Sequence, residues 1–159
     1  CRMLRFPELA PADIDAILLR EAPQADAAHR AAAIAAGGGS PGAALDFLEL
    51  DLGAMHQLMG EIARSGDADF SRRGKLAEAM GARPDRKRQL AAIDLARAVI
   101  AGQMAQITRG QIGALTQANA ELARLTAQAP TYNFDAGLLV MEIGGLLASV
   151  AAPRDAGNG

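Results

Sequence analysis

Gly37-Gly38-Gly39-Ser40-Pro41-Gly42-Ala43-Ala44-Leu45 is the stretch that decides how this chain folds. Glycines end a helix by accepting the left-handed conformation, Ser is a good N-cap, and a Pro placed directly after it occupies the first helical position, where a missing N–H costs nothing. The stretch therefore predicts a stop, a turn and a new helix. A glycine-rich turn feeding a helix N-terminus is also how proteins cradle phosphate. Gly37 and Gly42 even have the Walker A spacing, but Ala43 and Ala44 stand where the phosphate-binding Lys and the magnesium-binding Ser or Thr are required. Chemically the corner is a plain helix-turn-helix junction.

Upstream of the corner, Asp26 is placed to cap an alanine-rich helix running to about Ala36. Before it, Pro11 opens a helix whose stripe is Ile14, Ile17 and Leu18, with Asp13 and Asp15 in the favourable first turn and Pro23 ending it. Downstream, Ser40 launches a third helix through Leu45, Leu48 and Leu52. Residues 1–53 thus read as a small three-helix unit with a short lead-in. The lead-in, Arg2 to Leu9, alternates like a strand that buries Met3 or Leu4 and Phe6, while Pro7 demotes it to an edge or connector. Its partner is expected outside the chain, which opens abruptly on Cys1-Arg2-Met3 and reads as a fragment.

After Gly53 a new stripe begins with Met55, Leu58, Met59 and Ile62, ending near Ser65-Gly66. Asp69 is expected to cap the next helix, burying Phe70, Leu76 and Met80 and stopping at Gly81. Arg83-Pro84-Asp85 then starts a long helix along which Leu90, Ile93, Ala96, Ile100, Met104 and Ile107 share a face, with Gly110 following. Ile112, Leu115, Leu122 and Leu125 mark an antiparallel neighbour. Ala129-Pro130-Thr131-Tyr132-Asn133 is turn chemistry, and a last helix from about Phe134 carries Leu138, Leu139, Ile143, Leu146, Leu147 and Val150. Residues 54–152 therefore read as a helical bundle, and 153–159 as a frayed tail. The fold class expected is all α.

Composition agrees with that expectation. The chain has 159 residues, 50% of them hydrophobic but only 3% aromatic, with no Trp; an Ala-, Leu- and Ile-rich chain suits close helix packing better than a sheet built on large cross-strand pairs. The net charge of −2 excludes a generally basic nucleic-acid binder. Charge is uneven: residues 1–53 hold four arginines against eight carboxylates, or −4, which leaves +2 for the rest. One Cys cannot form an internal disulfide, and neither Cys1, His29 nor His56 has a neighbour at metal-ligand spacing. A reducing, cytoplasmic setting is expected, with no membrane span and no cofactor.

Little in the sequence supports catalysis. No motif brings either His to a Ser or Cys nucleophile, and the pairs Asp13/Asp15 and Glu49/Asp51 are two apart, a spacing that does not share a helix face. The basic run Arg72, Arg73, Lys75, Arg83, Arg86, Lys87 and Arg88 is a candidate phosphate-binding patch, although basic residues around helix ends are commonly a solvated surface and no aromatics interleave for base stacking. Tyr132, flanked by Pro130 and Asn133, is read as an anchor in a turn. Leu138, Leu139, Val140 and Met141 are consecutive, so on a helix they point around the full circle, and one bundle core cannot easily cover them all. With Tyr132 they form the candidate interface, Val140 being expected among its exposed members.

Cys1-Arg2-Met3-Leu4-Arg5-Phe6, a Pro-led helix, Gly39-Ser40-Pro41-Gly42-Ala43-Ala44-Leu45, and Tyr132-Asn133-Phe134-Asp135 before an apolar helix together resemble the delta prime subunits of the bacterial DNA polymerase III clamp loader. The likeness spans almost the whole chain. It implies the three-helix lid of an AAA+ module followed by a helical collar, with the nucleotide-binding core missing. In that family an arginine finger sits in a Ser-Arg-Cys motif; this chain would begin on its Cys, so Arg2 does not inherit the finger's role. The Gly39-Ser40 corner, with Gly42, Ala44 and Leu45, would be the sensor 2 region. Motor subunits carry an Arg two residues after that Ser, where this chain has Gly42, which favours delta prime over the gamma/tau motor subunit. The resemblance implies no enzyme activity in this piece alone. Its partners would be gamma/tau and delta subunits through the collar, with the sliding clamp and primed DNA reached only through the assembled complex. An unrelated α-helical interaction module is the other class the sequence allows.

Overall fold

A computed structural model describes residues 9–104, 108–129 and 134–151. The protein is all α: eight helices and one 3-10 turn, with no strand among the described residues. The helices are α1 (Pro11–Glu21), α2 (Ala27–Gly37), α3 (Pro41–Glu49), α4 (Gly53–Ser65), α5 (Ser71–Met80), α6 (Arg86–Gln103), α7 (Ile112–Gln128) and α8 (Ala136–Ser149); the 3-10 turn, Arg109–Gln111, leads into α7. The chain divides into two compact units, Cys1–Gly53 and Ala54–Gly159. The lead-in as far as Glu8, Ile107, the Tyr132 turn and the tail from Pro153 lie outside the described residues.

In the first unit α1, α2 and α3 pack pairwise on one another. Asp26 caps α2 by accepting the His29 N–H at 2.8 Å, and Ser40 caps α3 by accepting the Ala43 N–H at 3.3 Å, both as their positions predict. Gly38 and Gly39, at φ +53° and +83°, turn the chain between them. Gly37 also governs how closely the two helices approach. A Cβ there would lie 3.2 Å from both Cβ and N of Ala44, so a pair of small residues brings the end of α2 against the start of α3. Ile14, Leu18, Ala33, Ala44, Phe47 and Leu52 are buried, so α3 anchors itself through Ala44 and Phe47 while Leu45 and Leu48 are only half-buried. Arg30 ties α2 to α1, donating from Nε to Asp15 at 2.8 Å and from a terminal nitrogen to the Ala25 carbonyl. At the end of α3, Asp51 takes φ +48° so that the Leu52 N–H can reach the Phe47 carbonyl at 3.1 Å, satisfying one of the orphan carbonyls every helix end exposes.

In the second unit α8 packs on α5, α6 and α7, and α6 packs on α7. Two glutamines define the directions. Gln89, near the start of α6, donates to the Phe134 carbonyl just before α8, and Gln111, at the start of α7, donates to the Val150 carbonyl at the end of α8. Hence α7 runs antiparallel to α8, α6 runs parallel to it, and α6 and α7 are antiparallel neighbours, as the sequence predicts. The core is Met55, Met59, Ile62, Leu76, Met80, Ile93, Ile100, Leu122, Ile143 and Leu147.

The structure corrects several expectations. Phe70 is not core: it is 53% exposed, its backbone at φ +60° just ahead of α5. Asp69 accepts only from Ser71, whereas the buried Asp67 accepts the Arg72 and Arg73 N–H groups and is the principal cap of α5. Met104 and Ile112, placed on apolar stripes by their spacing, are exposed, because α6 ends at Gln103 and α7 begins at Ile112, where the packed stretch runs out. Val140 is 1% exposed and Leu139 3%, so neither is a surface residue; Leu138 and Met141 are the outward members of that quartet.

Candidate functional site

Three places gather the residues singled out from the sequence, and each is built from a helix end or face. The first is the corner in the first unit. Pro41 has no N–H, the Ala43 N–H goes to the Ser40 hydroxyl, and the Ala44 N–H goes to the Ser40 carbonyl. The first turn of α3 therefore has little left to offer a phosphate, the usual ligand of such a turn. Gly42 is exposed and a Cβ there would meet nothing closer than the Ser40 hydroxyl at 3.9 Å, so no steric reason demands glycine. Ala44 is fully buried and Leu45 half-buried, which makes their roles packing ones, while Gly39 supplies the turn.

The second place is the basic run, which the structure divides. Arg73 lies across α8 at Gly144, where an added Cβ would come within 2.6 Å of its Cγ, and its guanidinium reaches Asp67 at 3.3 Å while stacking 4.4 Å from the centre of the Phe70 ring. Arg72 pairs with Glu61 at 3.5 Å and donates to the Gly66 carbonyl. Arg88 donates to the Ala79 and Met80 carbonyls, placing a cation at the negative end of α5. Those three arginines serve the fold. Lys75 borders a polar cleft with Glu61, Asp69, Ser71 and Arg72, a mixture of both signs in place of a cationic track. Arg83, Arg86 and Lys87 are exposed. The Asp69 pKa is lowered from the ordinary carboxylate value, first by the Ser71 hydroxyl and then by the Ser71 N–H.

The third place is the outer side of α8. Leu138 is 73% exposed and borders an open, mostly apolar groove of about 550 Å³ between α7 and α8, with Leu125, Phe134 and Leu139 along it and Arg124, Asp135 and Glu142 at its rim. Arg124 is engaged locally, with Glu121 at 2.7 Å and Glu142 at 4.0 Å. Of the candidate interface residues, the structure thus brings Leu138 and Leu139 together on one groove, turns Val140 inward and leaves Met141 exposed. Tyr132 lies outside the described residues.

The two histidines lie on α2 and α4. His29 shares a 2.9 Å contact with Asp26 on an exposed helix start; the His29 N–H first, and that contact second, lower the Asp26 pKa. His56 is half-buried on α4, and burial pushes its pKa down. On α6, burial raises the Asp94 pKa and Arg97 opposes the rise. Among the described residues there is no group of three or more His, Cys, Asp or Glu able to hold a metal, and no helix long and apolar enough to cross a membrane.

Sequence reasoning overlooked Asp67, Gln89, Gln111 and Gly144. Only Gln111 carries a local signal, the Thr108-x-x-Gln111 capping box in which both partners take part. No family model, no curated protein and no solved structure matches this chain.

Proposed function

We propose that the chain is the lid and collar region of a delta prime subunit of the bacterial DNA polymerase III clamp loader, a non-catalytic piece whose parent joins the gamma/tau and delta subunits to load the sliding clamp onto primed DNA. The observation that carries this proposal is the Ser40 corner: a glycine turn, a Ser N-cap and a buried Ala44 in a three-helix unit, with Gly42 at the position where a motor subunit carries its phosphate-reaching Arg. A separate helical unit follows, which suits a collar, and the exposed Leu138 and Met141 suit a surface that meets other subunits. The work of such a piece would be assembly: the lid would transmit the position of a core, and the second unit would hold the ring together. DNA would be reached only through the complex.

Two measurements test this. Mixed with gamma/tau and delta subunits, the subunit that contains this chain is expected to elute with them as one complex whose mass by light scattering includes it; if those subunits assemble with each other and exclude it, the chain is an unrelated helical module. Calorimetry with ATP and magnesium on this chain is expected to show no saturable binding in the micromolar range. Micromolar binding that is lost on altering the Gly37 to Gly42 loop would instead identify a motor-type lid, whereas millimolar binding, about −4 kcal/mol, is too weak to distinguish the two.

A further inference from the structure

We draw no further inference here: the strongest candidate, the open apolar groove between α7 and α8 beside Leu138, belongs to the surface already assigned to subunit assembly, its rim cation Arg124 is paired within the chain, and nothing in the structure shows what covers it.

Discussion

Gly144 and Arg73 form the tightest dependence in the second unit. The Arg73 stem crosses α8 where only a hydrogen fits, and its head is thereby delivered to the buried Asp67, which also accepts two N–H groups at the start of α5. Gly144→Ala is expected to destabilise the protein by roughly 1–3 kcal/mol, the usual range for overpacking a filled site. In an Arg73→Ala background the same change should cost little, because the obstructing stem is gone. Urea denaturation of the four proteins in this cycle measures the coupling, and equal costs in both backgrounds would show that Arg73 is not what Gly144 makes room for.

His56 gives a pH prediction at the same scale. Burial holds its folded pKa below the ordinary 6.5, so as the pH falls through that value the unfolded chain takes up a proton that the folded chain refuses. Stability is therefore expected to fall on acidification from about pH 6.5 until the folded histidine itself is protonated. His56→Gln should remove that part of the slope while leaving the part due to carboxylates. Comparing urea midpoints at about pH 7.5 and about pH 5.5, either side of the histidine range, decides the matter, and an unchanged loss in the variant would rule His56 out as its source.

Among the elements, α8 holds the most information because its apolar residues divide between a buried side and an exposed one. Val140 is enclosed by the bundle, so Val140→Asp buries an uncompensated charge and is expected to unfold the second unit. Leu138 lies outside and in the first turn of α8, where a carboxylate suits the helix dipole, so Leu138→Asp should leave the melting temperature within a few degrees of the parent. In the assembly experiment the same Leu138→Asp protein should lose its place in the complex. A variant that folds and still assembles fully would remove this part of α8 from the subunit interface while leaving the clamp-loader reading in place. Circular dichroism melts paired with the light-scattering assay read both outcomes.

For the whole molecule, the division at Gly53 makes a prediction about autonomy. The second unit has its own large core side chains, from Met55 to Leu147, and the glutamine ties that hold both ends of α8 lie entirely within it. Residues 54–159 alone are expected to be helical and to unfold cooperatively. The first unit is short and its core leans on alanines, so residues 1–53 alone should be marginal, as chains of that size bury only about 60% of their unfolded surface. Melting each piece separately tests this; a disordered 54–159 piece would mean that its fold depends on the first unit.

What the sequence determined by itself was the punctuation of the chain and its all-α character. Asp26, Ser40, Asp85 and Asp135 each accept an N–H three residues ahead, an interaction decided within one turn, and the positive-φ glycines at 38, 39, 66 and 81 fall at the stops their positions predict. Tertiary structure decided everything that depends on neighbours distant in the chain. It chose Asp67 over Asp69 as the main cap of α5 by burying one carboxylate and leaving the other in solvent. It turned Phe70 outward under Arg73, and it divided the mostly apolar α8, whose one charged residue is Glu142, into a covered face and an open one. The glutamine bonds that align α8 span 45 and 39 residues of chain, and no local periodicity encodes them. Glu142 and Ser149 share the outward side of α8 with Leu138 and Met141, so the local pattern marks that side only faintly, and how much of the helix is covered is set when α5, α6 and α7 close upon it.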